Sequence, residues 1–388
     1  MTILFLSRLF YPHIGGVERH VLEVGKRLVK MGNKVIVITE KYQSEGESAK
    51  VTGEVGGIEI IRISIKRDSG VAPLSGSPQN DGGERGVKEN WFKKFQIWWW
   101  LWNHRDIIKK ADIIHCHDVF FWYLPFRFLY PKKKVYTTFH GYETKFPPSI
   151  KAILIRKTSQ KLSWGNICVG EYLKKWYGTK PDYITYGGVD VHLGGAEVAA
   201  SPGARRYLAS SPSEVLKGQA ELRILFIGRL EEDNGALVYL KALRLMRQKK
   251  IEIEFEACGE GSLRSEVEQY GKVYGFVKDL SQYLQKADIV FVSSYLSILE
   301  SMKHRKLVFS VYDNPLKEDY LKMSPFSKWI IIESSPKKLA GKMKYFIQHE
   351  EEREKLVNKS YEWVRKQTWE KVLGIYIDLW NLKIPDRQ

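Results

Sequence analysis

Residues 3–31, "ILFLSRLFYPHIGGVERHVLEVGKRLVKM", decide the fold. The run at 3–6 is continuously apolar and strand-like, and the run at 21–31 is helical in its spacing. Between them sit Gly15 and Gly16. Strand, glycine turn, helix is how a chain brings bare backbone N–H groups up to an anionic ligand. Neither glycine carries a side chain to block that approach, and both tolerate positive φ. An ordinary turn between strand and helix has the same outline, so the pair marks a candidate and proves nothing alone.

Composition narrows the field. A chain of 388 residues is too long for one ordinary core and implies two domains, or three. A hydrophobic content of 44% with 13% aromatics excludes a disordered chain. The three cysteines, Cys116, Cys168 and Cys258, are odd in number and far apart, so they form neither a disulfide framework nor a zinc pattern and fit a reducing cytosol. The opening "MTILFLSRLF" lacks a cationic leader and a cleavage site and reads as a strand, and no apolar run reaches the length that spans a bilayer. The net charge of +17 predicts an anionic partner: nucleic acid, a phosphorylated small molecule or an acidic membrane surface.

Strands and helices alternate along the chain, which favours parallel α/β units. The first half offers strands at 3–6, 34–39, 58–63, 113–116, 135–138 and 166–169, with amphipathic helices between several of them, such as 17–31. A stretch at 67–86, "RDSGVAPLSGSPQNDGGERG", reads as a mobile loop extending to about 90. Residues 194–220 are rich in Ala, Ser, Gly and Pro without sustained period, as in a linker. The rhythm then restarts with "ELRILFIGRL", "GALVYLKALRLM", "IEIEFEACGEG", "GKVYGFV", "KADIVFVSS" and "KLVFSVY". Two doubly wound α/β halves imply two Rossmann-like domains facing across a cleft, with ligands outside the carboxyl ends of the strands.

Taken in order, "YPHIGGVERHV", "ADIIHCHD", "TTFHGYET", "YGGVDV", "FIGRL", "CGEGSLR", "YGFVKDLSQYLQKADIVFVSS", "LESM" and "WEKVLGIYIDLW" give a pattern covering nearly the whole chain. That pattern resembles the GT-B glycosyltransferases, specifically the retaining family 4, also called group 1. The resemblance implies a GT-B fold. Its domains would be an N-terminal acceptor domain at 1–190, a linker at 191–220, a nucleotide-sugar domain at 221–368, and a closing helix at 369–388 that packs back on the first domain. It also implies that Gly15 and Gly16 lie beside the donor's phosphates and sugar, and that His140 lies beside the transferred sugar. Arg229 would hold the diphosphate, a task suited to a guanidinium that stays charged and donates two parallel hydrogen bonds. Glu300 would accept from the ribose hydroxyls, the turn at Leu296 and Ser297 would open a helix towards the diphosphate, and Gly259 and Val277 would line the nucleotide.

Three departures accompany the resemblance. Asn234 stands where the pattern has a phosphate-binding lysine, preceded by Glu231, Glu232 and Asp233. A first glutamate near the donor sugar is deleted, because "FVSSYLSILES" runs straight from strand to helix and Val292 falls at its offset. Tyr295 replaces the glycine usually found before that helix.

Two further stretches carry chemistry-bearing residues. In "HCHD", His115 and His117 share one strand face, but nothing nearby completes a zinc ligand set, so no metal is expected. In "WFKKFQIWWWLWNHRDIIKK" at 91–110, Trp91, Phe95, Trp98 and Trp102 share a face at core spacing. Trp100 is expected on the opposite side among Lys93, Lys94 and Gln96, as rings and cations are placed at an anionic membrane surface. The mixture recurs in "FFWYLPFRFLYPKKK", and an interdomain or oligomer contact is the other reading of both stretches.

The leading expectation is a cytoplasmic, peripherally membrane-bound enzyme of glycolipid or cell-surface glycan synthesis. It would move a hexose with retention from a UDP- or GDP-sugar to a lipid-linked or glycan acceptor, without a cofactor. The second is a catalytically impaired GT-B protein acting as a partner or regulator in glycan assembly. A nucleic-acid binder rests on charge alone, since no RNA or DNA module is present in the sequence.

Overall fold

Apolar residues covered on both faces mark the centre of a parallel sheet. Strand β1 (Thr2–Ser7) is such a strand, buried from Ile3 to Ser7. The computed structural model describes residues 1–13, 15–41, 43–44, 47–48, 51–65, 84–142, 146–190 and 221–382. The expected linker at 191–220 and most of the loop expected at 67–90 lie outside these residues. The chain divides into two units, Met1–Thr185 with Trp369–Gln388, and Tyr186–Thr368.

In the first unit β1 leads into α1 (Gly16–Lys30) and β2 (Lys34–Glu40). The two-residue strands β3 (Gln43–Ser44) and β4 (Glu47–Ser48) pair with each other, and β5 (Thr52–Val55) runs antiparallel to β6 (Ile58–Ile63). There follow α2 (Glu84–Asn103), α3 (Arg105–Lys110), β7 (Ile113–His117), α4 (Phe120–Leu129), β8 (Lys134–Phe139), α5 (Ile150–Leu162), β9 (Gly165–Val169), α6 (Tyr172–Tyr177) and β10 (Tyr183–Thr185). The sheet order is β10-β9-β8-β7-β1-β2-β6-β5, parallel except at β5. The strand order reverses at β1, so a crevice opens there at the carboxyl ends of β1 and β7.

The second unit comprises β11 (Leu222–Ile227), α7 (Ala236–Arg247), β12 (Ile253–Cys258), α8 (Arg264–Glu268), β13 (Lys272–Val273), α9 (Ser281–Lys286) and β14 (Ile289–Val292). It continues with α10 (Tyr295–Lys303), β15 (Leu307–Val311), α11 (Pro315–Lys322), β16 (Ile331–Glu333), α12 (Pro336–Gln348) and α13 (Glu350–Val364). Its sheet is wholly parallel in the order β13-β12-β11-β14-β15-β16, with the reversal between β11 and β14. The last helix, α14 (Trp369–Leu379), belongs to the first unit, where it packs on α1. Two α/β units with parallel sheets and this returning helix are the GT-B architecture.

Helix α2 corrects two expectations. It begins at Glu84, inside the stretch expected to be loop. Among its residues of described burial, Ile97 and Leu101 are buried, while Trp91, Phe95 and Trp102 are 46%, 59% and 47% exposed. Trp100 packs against the core and stacks on His104 with ring centroids 3.9 Å apart. Lys93 reaches inward to Glu40 at 2.7 Å. From Phe95 to Trp102 the helix is apolar except at Gln96, so the spacing there does not select a face; the ion pair at the end of β2 and the Ile97–Leu101 ridge do.

One glycine contact holds the second unit's loops together. A Cβ on Gly259 would lie 1.8 Å from the Gly228 carbonyl oxygen, so the turns after β11 and β12 touch backbone to backbone. Gly259→Ala is expected to lower stability by about 1–3 kcal/mol, the usual cost of overpacking. A displaced urea-unfolding midpoint of the folded variant measures it.

Candidate functional site

Four buried histidines gather at the carboxyl ends of β7 and β8 in the first unit. His20 comes from α1, His115 and His117 from alternate positions of β7, and His140 from the residue after β8; none is more than 8% exposed. The shared face expected of His115 and His117 is present, with ring centroids 5.0 Å apart. Among the described residues no group of three or more His, Cys, Asp or Glu side chains is placed to hold a metal.

A donor-only indole fixes the tautomer of His115. An indole N–H only donates, and Trp380 Nε1 donates to His115 Nδ1 at 3.1 Å. His115 is then protonated on Nε2, which donates to Thr138 Oγ1 at 2.7 Å. The Thr138 hydroxyl is paired with the Tyr376 hydroxyl at 3.0 Å, and the Tyr376 hydroxyl with His20 Nε2 at 2.9 Å. Every ring in this chain is neutral. Burial holds the His20 pKa down to about 3, and it pushes His115, His117 and His140 well below the ordinary value, helped by the neighbouring imidazoles.

His140 sits at the edge of this cluster. Its Nε2 pairs with His117 Nδ1 at 2.8 Å, and its backbone N–H donates to both Asp118 carboxylate oxygens at 3.1 and 3.2 Å. Asp118 adopts φ 60°, a left-handed conformation that aspartate tolerates better than most residues. Nδ1 of His140 makes no hydrogen bond to a described residue, so it is the ring nitrogen left for a ligand. Gly15 and Gly16 open α1, but the Gly15 N–H is already taken by Glu18 Oε2 at 2.9 Å. A Cβ on Gly15 would meet that carboxylate at 2.6 Å, whereas Gly16 is exposed and has nothing within 4 Å.

The remaining sequence candidates lie in the second unit, at the carboxyl edge of its sheet. Arg229 follows β11 and is paired with Asp233 at 2.6 Å. Asn234 turns its amide to the Arg229 carbonyl at 3.1 Å and so braces the turn. Of the three acidic residues in that turn, Glu231 accepts from the backbone and hydroxyl of Ser262, Asp233 holds Arg229, and Glu232 is exposed. Gly259 serves the loop contact described above, and Val277 lies half-buried beyond β13. Leu296 and Ser297 form the half-exposed first turn of α10, whose N-cap is Ser294. Glu300 is one turn on, buried, with Lys303 Nζ 3.6 Å away. Val292 ends β14, so strand passes to helix without room for the missing glutamate. Tyr295 lies flat on Tyr320, centroids 4.0 Å apart, and its N–H donates to the Tyr320 hydroxyl at 3.0 Å.

Two wound α/β units with these motifs define the GT-B class. Residues 14–193 match the family model described as Glycosyltransferase Family 4, and residues 211–363 match Glycosyl transferases group 1. The chain belongs to the group 1 glycosyltransferases of the GT-B fold. A glycosyltransferase from Rickettsia africae superposes with a TM-score of 0.61 at 17% identity, covering 98% of this chain and 99% of that one. The Anabaena HepE protein in complex with UDP gives 0.63 at 13% identity, covering 98% and 100%. A segment of 63 residues is 35% identical to one polypeptide of the phosphatidylinositol N-acetylglucosaminyltransferase of Arabidopsis thaliana, covering 16% of this chain and only 13% of that relative.

The neutral histidines couple stability to pH. An unfolded histidine binds a proton below about pH 6.5, and the buried ring does not until far lower. Their contribution is therefore complete above about pH 6.5 and is lost as pH falls towards about 3 for His20. Urea midpoints of the full chain are expected to fall steadily from pH 7 to pH 5; a flat profile contradicts the neutral cluster.

Proposed function

We propose that the chain moves a hexose from a nucleoside diphosphate sugar, with UDP or GDP as carrier, to an acceptor hydroxyl with retention at the anomeric carbon. The observation that carries the reading is Arg229 after β11 together with the start of α10 after β14, on the two sides of the strand reversal. A cation and a helix N-terminus at that crevice suit a diphosphate. The diphosphate offers Arg229 more negative charge than Asp233 does, so the Arg229–Asp233 pair opens as the ligand arrives.

In this reaction the bond from anomeric carbon to phosphate oxygen breaks while a bond to the acceptor oxygen forms on the same face. The acceptor's proton passes to the departing phosphate oxygen. Arg229 and the α10 N–H groups stabilise the charge that develops on the diphosphate, the largest catalytic contribution expected of such a site. Within the second unit Glu300 accepts from the ribose; within the first, His140 Nδ1, which has no hydrogen bond to a described residue, is the ring nitrogen offered to a hydroxyl. The UDP bound by the Anabaena protein supports a uridine carrier, and the phosphatidylinositol named for the Arabidopsis relative supports a lipid acceptor.

A lipid acceptor places the enzyme at a membrane surface. No helix among the described residues is long and apolar enough to cross a membrane. The aromatic face of α2 suits peripheral contact: Trp91, Phe92, Phe95, Trp99 and Trp102 are exposed, and Phe128 on α4 is 68% exposed. Lys94 lies 5.0 Å from the Trp91 ring centroid, and Lys132, Lys133 and Lys134 follow α4. Ring burial contributes about 25 cal/mol per Å² and each basic residue near an anionic surface about 1 kcal/mol. A second reading, an impaired GT-B partner in glycan assembly, is favoured by Asn234 and the shortened β14–α10 connection.

A screen of UDP-, GDP- and ADP-sugars by calorimetry, followed by the anomeric configuration of the product by proton NMR, tests the reading. Donor hydrolysis without transfer rejects the transferase reading, an inverted product rejects retention, and failure to bind any donor leaves the impaired-partner reading. Glu300→Ala is expected to weaken donor binding by about 1.5–3 kcal/mol, the scale of a hydrogen bond to a charged group. Wild type is expected to sediment with anionic but not neutral vesicles at low salt. Replacing Trp91, Phe95 and Trp99 by Ser should release the protein from the vesicles while donor affinity stays unchanged.

A further inference from the structure

A groove of about 490 Å³ opens on the second unit between the short 3₁₀ turn Ser327–Trp329 and α13. Lys328, Trp329, Lys359, Glu362, Trp363 and Lys366 line it, none of them a candidate for the donor site. Its apolar part is two half-buried indoles, Trp329 and Trp363, with ring centroids 5.1 Å apart and planes 39° from each other. Phe326, fully buried, packs edge-on against Trp363 at 5.8 Å, and its carbonyl accepts from the Trp329 N–H at 2.9 Å. Both indoles are therefore fixed from the core.

Cations surround the rings. Lys328 Nζ lies 4.5 Å from the Trp329 ring centroid. Lys359 precedes Trp363 by one helical turn, and Lys366 lies in the turn that closes α13, its N–H donating to the Trp363 carbonyl at 3.2 Å. All three lysines are exposed, and none makes an ion pair with a described residue. The one carboxylate of the lining, Glu362, is paired with Arg365 at 3.4 Å. Three positive charges thus line the groove beside a single carboxylate that already has a partner, so the lining is complementary to an anion.

The rings narrow the class of anion. A free phosphate uses the lysines and leaves the indoles idle. A bilayer takes up rings that project, as Trp99 does at 69% exposure, whereas Trp329 and Trp363 are recessed in the lining of a groove. A flat base stacks on one ring alone, because the two planes diverge by 39°. A chain of pyranose rings follows the bend, laying its electropositive C–H groups on the negative indole faces while sugar carboxylates reach the lysines. We propose that this groove holds a short stretch of acidic oligosaccharide, stacked on Trp329 and Trp363 and charge-paired with Lys328, Lys359 and Lys366. That the occupant is a glycan rests on the transferase reading above. A second grip on the chain lengthens the stay of acceptor or product on the enzyme.

The test is calorimetry of the full chain with tetragalacturonate, with maltotetraose as the neutral sugar and tetraglutamate as an acidic peptide of like charge. Wild type is expected to bind tetragalacturonate about tenfold more tightly than either control. Trp329→Ala, and Lys359→Ala combined with Lys366→Ala, should each lose about tenfold in that affinity while UDP affinity stays unchanged. Lys241 and Lys249 are exposed lysines outside the groove, and replacing both by Ala removes the same charge; that variant should stay within about twofold of wild type. Equal binding of tetraglutamate, an equal loss in the Lys241 and Lys249 variant, or no binding of tetragalacturonate overturns the proposal. So does a Trp329→Ala variant that keeps its sugar affinity but no longer sediments with anionic vesicles, for the rings then meet a membrane. Should Trp329→Ala fail to fold, the two lysine pairs decide. Tetragalacturonate binding by a wild type that binds none of UDP, GDP or ADP keeps the groove and rejects the transferase reading, and nucleotide binding without sugar binding does the reverse.

Discussion

The first unit hangs on the hydroxyl of Tyr376, which is hydrogen-bonded to both Thr138 and His20. This line of hydrogen bonds ties β8, α1 and α14 together, and Trp380 fixes the tautomer of His115 at one end of it. Each buried donor or acceptor in that line loses about 1–3 kcal/mol if left without a partner. The chain leaves the first unit, forms the second and returns, and the returning helix completes the polar interior of the place it left. His140 owes its orientation to the same interior, through His117 on one side and Asp118 on the other.

The second unit meets a different demand. Its carboxyl edge carries Arg229, Asp233 and Glu300 within a few turns, and each acidic group is assigned before any ligand arrives. Glu231 is turned away to Ser262, so the acidic turn is less hostile to an anion than its composition suggests. The direct passage from β14 to α10 replaces a glycine by Tyr295, and the stacked Tyr320 ring supplies the support that a longer loop would give. The departures from the family pattern are thus accommodated locally, by new packing around the same helix terminus.

The aromatic surface of α2 follows from how that helix is anchored. Lys93 is drawn to Glu40 and the Ile97–Leu101 ridge is sealed in the core, which turns the remaining rings outwards. Trp91, Phe95 and Trp98 then pack on one another, with Lys94 beside Trp91, as a layer with a cation at its edge. Such a layer is matched to an interface that is apolar below and anionic above.

The sequence by itself determined the central strands, the glycine turns, the restart of the α/β pattern and the family, but not the edge strands β5, β10 and β16. Continuous apolar runs and tight turns are local properties, and each reports on its own few residues. The same-face placement of His115 and His117 was legible too, because side chains alternate along a strand. Tertiary structure alone decided what those histidines meet. Tyr376 and Trp380 lie far along the chain, and a hydrogen bond between distant segments leaves no periodic mark. It also decided the buried face of α2, since the aromatic run from Phe95 to Trp102 surrounds the helix and presents no preferred stripe. Among the described lysines, which ones share a groove with Trp329 and Trp363 is likewise set by contacts between α13 and the turn before β16. Lys359 has the spacing of any other helical lysine, and only the fold sets it in one groove with Lys328.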